Sequence, residues 1–414
     1  MSALSDIATH TRASSATYVD SDGVLQTVAI DVPRVGHHLW NGTAWVDAGY
    51  FHESEARTNL IAYSEDLSQW TSINSVLSST TAPDGTSNAT ILTDDASGGS
   101  NTASVRVTAF TITAIAHTYS VFAKADQTGI FSLCLQGFAT TTRGATTFDV
   151  SSGTVLATSA NHTSGIQNCG NGWYRCWITF TGDAADLTGN YYLALADEAY
   201  SSTIGNPDTV TMDGSNSVAF FGAQFEAGST PSSYIPTAGS SLTRAKDEMT
   251  IPAANLPWPT EAPLAVSIQM SGTMTFADTG VGAVSAGGQG EAVFFLWKSN
   301  DSNYINDVLT TASTQTGRPV SQQKAVGVED FVLGNDTEYS PGINVPFNIA
   351  SRHGSTFING AVDGTALTAN TTPTALPDLS ATDMQIGYDF MGTIDLFRVW
   401  KSDITDVGIA EAST

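Results

Sequence analysis

Short runs of β-forming residues, each closed by a turn, recur along this chain, and one of them shows the pattern most clearly. Gly170-Asn171-Gly172 predicts a tight turn, and the residues that follow it, 173–180, form an aromatic-rich strand. Similar runs end at Gly, Asn, Asp or Pro throughout the sequence, whereas helical periodicity is nearly absent. The pattern predicts an all-β protein built of β-sandwiches.

The charge of the chain excludes several classes of function. Only 13% of the 414 residues are charged, so the surface is built largely of Ser, Thr, Asn, Gln and Gly, as in many extracellular all-β proteins. Lys and Arg number 15 against 40 Asp and Glu, a net charge of -25. A nucleic-acid binder needs a cationic surface, and an acidic membrane would repel this chain. Solubility, calcium sites or a basic partner remain as explanations of the acidic charge.

The three cysteines are too few for a disulfide framework. Cys134 lies in an apolar run and is expected in a core. Cys169 and Cys176 flank the turn at Asn171 but are not directly opposite each other, so we expect no bridge between them.

The length predicts two or three domains, and punctuation along the sequence suggests where they divide. We predict two jelly-roll β-sandwiches in tandem, preceded by a docking region with a β-hairpin. The predicted segments are a docking region at 1–56, a first sandwich at 57–245, a proline-rich linker at 246–262 and a second sandwich at 263–414. A flexible loop is expected at 278–290 and a short helix at 403–410.

Two details of this division rest on local sequence. Asn41-Gly42, between aromatic residues at 40 and 45, is a strong hairpin signal in the docking region. Thr-Arg-Ala at 11–13 recurs at 243–245, which suggests two similar connecting strands on either side of the first sandwich.

The first sandwich resembles a jelly-roll module of bacteriophage tail-fibre and spike proteins, similar to carbohydrate-binding modules. The segments that carry the resemblance are 57–60 (Arg-Thr-Asn-Leu), 63–65 (Tyr-Ser-Glu), 82–86 (Ala-Pro-Asp-Gly-Thr), 122–125 (Phe-Ala-Lys-Ala), 170–175 (Gly-Asn-Gly-Trp-Tyr-Arg) and 234–237 (Tyr-Ile-Pro-Thr). Segments 11–14 and 32–34 resemble the usual upstream region of that family, but 51–55 departs from it. The second sandwich resembles a concanavalin-like or laminin-G-like jelly roll at 357–362, 384–387 and 392–400.

These resemblances imply a fibre or spike, on the tail or head of a phage-like particle such as a gene transfer agent. The expected partners are a bacterial surface polysaccharide such as capsule, a spike-base, tail or capsid protein, and two further copies in a homotrimer. No secretion signal or run of ~18 apolar residues is present. We therefore expect synthesis in the bacterial cytoplasm, release by lysis, and no membrane insertion or nucleic-acid binding. A purely structural or adaptor subunit is the alternative, and a capsule-degrading enzyme is a third.

No catalytic residues are predicted. A retaining glycosidase needs two carboxylates about 5–5.5 Å apart, and no acidic pattern of that kind occurs on one strand. The sequence has no Gly-x-Ser-x-Gly elbow and no zinc-protease motif beyond His52-Glu53. His37 and His38 have no third metal ligand in view, so a structural or exposed role is expected for them.

Sugar binding needs less, since aromatic faces stack on a pyranose ring while nearby polar groups bind its hydroxyls. The candidate residues are Trp40, Trp45, Trp70, Tyr200, Trp297, Asn303, Tyr304 and Arg352. Core packing competes with this role, for Trp297 in particular, and we expect Trp173, Trp177 and Trp400 to lie in cores. No cofactor is expected apart from calcium, for which Asp301 in the oxygen-rich segment 300–303 is the candidate; a β-turn explains that segment as well.

Overall fold

The computed structural model describes residues 4–258, 261–278, 292–310 and 315–414, and these residues form an all-β protein of two jelly-roll β-sandwiches. The fold-class prediction is confirmed. A short helix α1 (Leu4–Ile7) comes first. The N-terminal strands are β1 (Thr9–Thr11), β2 (Ala16–Val19), β3 (Leu25–Val28), β4 (Arg34–Val35), β5 (His38–Trp40), β6 (Trp45–Asp47) and β7 (Tyr50–Glu53).

The first sandwich begins at β8, and a 3-10 helix (Leu67–Gln69) precedes β9. Its strands are β8 (Arg57–Asn59), β9 (Thr71–Ile73), β10 (Ser75–Thr80), β11 (Ala89–Asp94), β12 (Ser100–Asn101), β13 (Ser104–Thr111), β14 (Ala116–Ala125), β15 (Ile130–Gln136), β16 (Gly144–Asp149), β17 (Thr154–Ala157), β18 (Thr163–Asn168), β19 (Trp173–Thr181), β20 (Thr188–Leu195), β21 (Val210–Thr211) and β22 (Ser217–Ala227). One sheet has the order β10-β11-β22-β14-β19-β18 and the other β17-β16-β15-β20-β13-β9. A core of Phe, Tyr, Leu and Val fills the space between them.

Three of the segments that carry the sequence resemblance, 57–60, 63–65 and 234–237, contact one another or β22. The amide of Asn59 donates to the carbonyl oxygens of Ala223 (3.1 Å) and Ile235 (2.9 Å). Ser64 Oγ and Tyr234 Oη are 2.7 Å apart, and Tyr234 Oη donates to Glu65 at 3.0 Å. These contacts hold β8 and the residues after it against β22 and the segment that follows β22, which is a structural role.

The chain then forms two connecting strands, a 3-10 helix (Ala253–Asn255), the second sandwich and a terminal helix. These elements are β23 (Leu242–Arg244), β24 (Glu248–Ile251), β25 (Ala265–Phe276), β26 (Ala292–Asn300), β27 (Asn303–Thr310), β28 (Arg318–Ala325), β29 (Val328–Leu333), β30 (Gly342–Gly354), β31 (Ile358–Val362), β32 (Thr365–Ala366), β33 (Met384–Asp389), β34 (Met391–Trp400) and α2 (Thr405–Ala412). The terminal helix was predicted at nearly the same place.

The N-terminal segment does not fold as a separate unit. The sheets of the second sandwich have the orders β1-β24-β33-β26-β27-β28-β29 and β32-β31-β30-β25-β34-β7-β4, so three N-terminal strands extend them. Tyr50 to Glu53 pair with residues 391–394, and Tyr50 is buried in the second core. The predicted boundary at residue 56 is therefore wrong for the fold. The N-terminal strands complete sheets whose other strands lie far away in the sequence.

The predicted linker at 246–262 is also part of the second sandwich. Strand β24 pairs with β1 and with β33, and Met249 and Ile251 are buried in the core. Leu256 and Trp258 are buried there as well. Pro252 and Pro257 permit this path because they fall outside strand β24. Residues 259–260 and the predicted loop from 279 onward lie outside the described residues.

Local predictions in the first sandwich agree with the structure more closely. Asn171, with φ of 53°, and the two glycines beside it form the turn before β19. Trp173 is buried, while Trp177 and Trp400 are half-buried rather than core residues.

All three cysteines are free thiols. Within the part of the chain that the structure describes, no helix is long and apolar enough to cross a membrane.

Candidate functional site

The predicted hairpin exists, and it places two tryptophans side by side. Strands β5 and β6 pair with Trp40 opposite Trp45. The Asn41 side chain closes the loop by accepting hydrogen bonds from the amides of Thr43 (3.0 Å) and Ala44 (2.9 Å). The two indole rings are 5.3 Å apart at 61°, and both are half-buried. The hairpin therefore offers an aromatic surface that the protein core does not use.

Two glycines fix the position of Trp45. Gly23 and Gly170 both have positive φ, and a Cβ atom on either would overlap the Trp45 ring. Gly170 begins the turn that leads into β19 of the first sandwich. The N-terminal hairpin is therefore seated against the first sandwich, and glycine is required because a side chain would displace the indole.

A groove opens beside this pair, where the N-terminal segment and both sandwiches meet. We call it the tryptophan groove; its cavity volume is about 120 Å³. One buried water needs roughly 10–15 Å³ of such a cavity. The groove therefore has room for several waters, or for a group the size of a sugar ring. The lining residues that matter here are Tyr18, His37, Trp40, Trp45, Gln167, Asn168, Asn344 and Met391.

His37 supplies a hydrogen-bond donor to the groove. Burial, reinforced by the charge of Arg34, lowers the pKa of His37 to about 3, so the ring is neutral at physiological pH. Its Nδ1 accepts a hydrogen bond from the Val19 amide at 3.1 Å, which puts the ring hydrogen on Nε2. Within the described part of the chain Nε2 has no hydrogen-bond partner, although His37 is only 6% exposed.

Three amide side chains add both donors and acceptors. Asn168 is exposed, and its Oδ1 accepts from the Gly170 amide at 2.8 Å. Gln167 and Asn344 are half-buried and line the groove, and their side-chain amides make no hydrogen bond to any other described residue. Amides can match the hydroxyl groups of a ligand in either direction, since each carries donors and an acceptor.

The charged residues behind the groove are engaged with one another. Arg34 contacts both Glu53 (2.7 Å) and Asp247, Arg12 contacts Asp247 (3.0 Å), and Arg244 Nε is 3.1 Å from Glu53. All five residues are buried. Burial by itself would raise the pKa of Glu53, but Arg244 and Arg34 hold it well below its usual range.

This network joins the three parts that form the groove. Arg12 and Arg34 come from the N-terminal segment, and Arg244 and Asp247 follow the first sandwich. Glu53 accepts from the amide (2.7 Å) and hydroxyl (2.6 Å) of Ser233. The repeated Thr-Arg-Ala at 11–13 and 243–245 thus supplies two arginines to one network. A fixed network behind the groove holds its walls in place, which favours ligand binding by preorganisation.

Three of the predicted sugar-binding residues lie in cores instead. Trp70, Trp297 and Tyr304 are buried, with exposures of 5%, 0% and 0%. The indole nitrogen of Trp70 donates to the Tyr63 carbonyl (3.1 Å), and that of Trp297 to the Thr382 carbonyl (2.8 Å). Their ring faces are covered by protein, so we leave them out of the candidate site.

The remaining predicted residues are accessible but do not line the tryptophan groove. Tyr200 is half-buried at the surface of the first sandwich, and Asn303 accepts from the Val326 amide at 3.1 Å within a turn. Arg352 holds the terminal helix, with bonds to Asp403 (2.8 and 2.7 Å) and Asp406 (2.6 Å). Its polar groups are thus already occupied.

Asp301, the candidate calcium ligand, forms an ion pair with a lysine. Lys298 Nζ is 2.8 Å from the Asp301 carboxylate, which is 86% exposed. Asn300 Oδ1 accepts from the Ser302 amide at 2.9 Å, the pattern of a side-chain-closed turn. Among the residues that the structure describes, no group of three or more His, Cys, Asp or Glu side chains could hold a metal ion.

Sequence reasoning found the two tryptophans of the groove but missed their neighbours. The hairpin signal identified Trp40 and Trp45, and the Gly-Asn-Gly turn was recognised without its contact to Trp45. The two glycines on either side of Asn171 were the available signal. Nothing in the sequence placed Asn344, which lies more than 300 residues after Tyr18, in the same groove.

No family model matches the chain, and no curated protein matches it. A crystal structure of the NanB sialidase of Streptococcus pneumoniae is similar at 14% identity and a TM-score of 0.29, over 39% of this chain and 26% of that one. The match thus spans about a quarter of the sialidase.

Two laminin structures are also similar to this chain. They are domains LG4-5 of the mouse laminin alpha1 chain (9% identity, TM-score 0.25, 72% of this chain and 85% of that one) and the LG1-3 region of the laminin alpha2 chain (11% identity, TM-score 0.26, 76% and 67%). Laminin-G-like β-sandwiches are the type that the second sandwich resembles in sequence. At these TM-scores, none of the three structures assigns a function to this chain.

Proposed function

We propose that this protein is a non-enzymatic carbohydrate-binding protein and that the tryptophan groove is its binding site. The observation that carries the proposal is the half-buried pair Trp40 and Trp45 beside unengaged amides and the neutral ring of His37. A sugar ring has an apolar face and a rim of hydroxyl groups. Aromatic faces bind the first and amides bind the second.

The biological setting that we propose is the surface of a phage-like particle, with the protein acting as a fibre or spike that recognises a bacterial polysaccharide. The sequence resemblance of the first sandwich supports this setting. A homotrimer would present three copies of the groove, and linked sites raise the overall affinity by ~10²–10⁴ over a single weak site. The acidic surface fits a protein that must stay soluble at high local concentration.

The experiment that tests the binding proposal is a glycan array probed with the full chain. We expect binding to a defined group of glycans, lost in Trp45→Ala and retained in Trp177→Ala. Trp177 is a suitable control because it is also half-buried and also packs against a glycine, Gly165, but does not line the groove. Absence of binding to every glycan would overturn the proposal and favour a structural or adaptor subunit.

The particle setting needs a separate experiment. Particles that carry Trp45→Ala should adsorb to host cells less well than particles that carry Trp177→Ala, with equal amounts of the protein on each. Equal adsorption of the two would contradict host recognition through this groove, even if the isolated protein binds glycans.

A further inference from the structure

A second cavity lies next to the tryptophan groove, along the seam between the two sandwiches. Its volume is about 320 Å³. The residues that line it include Glu55, Arg57, Ser229, Thr230, Thr275, Asp389 and Met391. We call it the acidic cavity, because Glu55 and Asp389 are both exposed in it.

The two cavities are direct neighbours along the seam. Thr275 and Met391 line both of them. On the first sandwich, Ser229 and Thr230 line the acidic cavity and the next residues, 231–233, line the tryptophan groove. Three residues of chain span at most roughly 10 Å, so a ligand in one cavity lies close to the other.

The acidic cavity has polar groups available to a ligand. The carboxylate of Asp389 forms no ion pair or hydrogen bond with any other described residue. Glu55 is paired with Arg57 at 2.6 Å. The hydroxyl groups of Ser229 and Thr230 likewise have no partner among the described residues, and both residues are half-buried. Carboxylate and hydroxyl groups that face open space suit the hydroxyls of a sugar.

Charge decides which sugars fit. In the tryptophan groove the charged residues Glu53 and Arg175 are engaged within the protein, Arg175 through the Ser232 carbonyl and the Ser120 hydroxyl. In the acidic cavity Glu55 and Arg57 neutralise each other. The exposed carboxylate of Asp389 adds a negative charge, which Lys246, itself paired with Glu248, offsets without a direct ion pair. The chain as a whole carries -25. An acidic sugar would therefore be repelled at the acidic cavity.

We infer that the seam binds an extended neutral oligosaccharide, with one unit on the tryptophan pair and a later unit at Asp389, Ser229 and Thr230. This inference rests on the proposed carbohydrate-binding function and extends it in two respects. It assigns a second subsite, and it excludes acidic polysaccharides as ligands.

The test is calorimetric titration of the full chain with neutral gluco-, manno-, galacto- and N-acetylglucosamine oligosaccharides of one to six units. Tetragalacturonic acid serves as the acidic probe. For the neutral series that binds, we expect the tetrasaccharide to bind at least about ten-fold more tightly than the monosaccharide. Tetragalacturonic acid should not bind.

Variants separate the two subsites. Asp389→Ala should weaken binding of the tetrasaccharide about five-fold and leave the monosaccharide unchanged. Asp197→Ala, an exposed acidic residue outside the groove, is the control for the change in charge. Trp45→Ala should weaken both ligands. Asp389 is exposed, so we expect the variant to fold, and its thermal midpoint checks this.

The outcomes that overturn the inference differ from those that overturn the proposed function. Equal affinity for one and four units, with Asp389→Ala equal to its control, removes the second subsite and leaves the tryptophan site intact. Tighter binding of tetragalacturonic acid overturns the neutral-ligand assignment. Release of shorter oligosaccharides during titration would contradict a non-enzymatic binding site. No binding at any length contradicts the proposed function itself.

Discussion

Among the described residues, two pairs of tryptophans are in contact, one in a core and one in a groove. Trp258 and Trp297 are stacked at 5.7 Å and 24°, with exposures of 1% and 0%. Trp40 and Trp45 meet at 5.3 Å and 61°, and both are half-buried. The first pair fills space between sheets and contributes to stability. The second pair leaves ring surface open, and that surface is what a ligand can use.

The comparison predicts that truncating the buried pair lowers stability, whereas truncating the groove pair weakens glycan binding. Trp297→Ala should lower the free energy of unfolding by about 3–5 kcal/mol, the usual cost of truncating a buried aromatic residue. Glycan affinity of the folded protein should not change. Urea unfolding and calorimetric titration measure the two quantities. Loss of binding in a stably folded Trp297→Ala protein would contradict the assignment of this pair to the core.

The core that holds Trp297 also holds a carboxyl group, and this predicts a second large effect. Asp307 is 3% exposed and lies on the same face of β27 as Ile305 and Leu309. Burial raises the pKa of Asp307 from 3.8 to about 7, although the side chains of Ser321 and Ser351 oppose this. The folded protein therefore retains a proton that the unfolded chain has lost.

Asp307 should destabilise the fold increasingly as the pH rises from about 4 to about 7. Asp307→Asn removes this effect, so its stability relative to the natural protein should rise over that range by about 4 kcal/mol at most, at 1.36 kcal/mol for each pKa unit. The histidines, common to both proteins, cancel in this difference. Urea unfolding at pH 4.5 and pH 8 measures it, and an equal difference at both pH values would show that the carboxyl group titrates normally.

For Trp40 and Trp45 we expect the opposite result, an effect mainly on glycan binding and less on stability. Trp45→Ala should weaken glycan binding about ten-fold or more, which is about 1.4 kcal/mol, because the stacking face is lost. The free energy of unfolding should fall by less than in Trp297→Ala, since the Trp45 ring is only half-buried. The same two measurements apply, with Trp177→Ala as the control. A stability loss equal to that of Trp297→Ala would place Trp45 in the core class.

The smallest predicted effect concerns the glycine that supports Trp45. Gly170→Ala and Gly98→Ala both place alanine at positive φ (69° and 81°), which costs about 1–2 kcal/mol in each variant. Only at Gly170 does the new methyl group meet the Trp45 ring; nothing lies within 4 Å at Gly98. We expect binding to weaken about three-fold in Gly170→Ala alone. Equal affinities would show that the indole position is not important for binding.

Local features of the fold could be predicted from the sequence because each depends on neighbouring residues. Asn41-Gly42 specifies a hairpin, and Gly170-Asn171-Gly172 specifies a turn, since few other residues accept positive φ. The domain division could not be predicted in the same way. Strand β7 reads as part of an N-terminal unit, yet it pairs with β34 more than 330 residues later.

The sequence by itself determined the all-β class, the turns, the hairpin and the absence of a cationic surface. Each of these follows from local pattern or from composition. Only the tertiary structure decided which tryptophans are buried and which face open space. A strand pattern shows which residues share a face, but burial depends on what packs against that face. Trp45 packs against two glycines beside an open groove, whereas Trp297 packs against Trp258 and the opposite sheet.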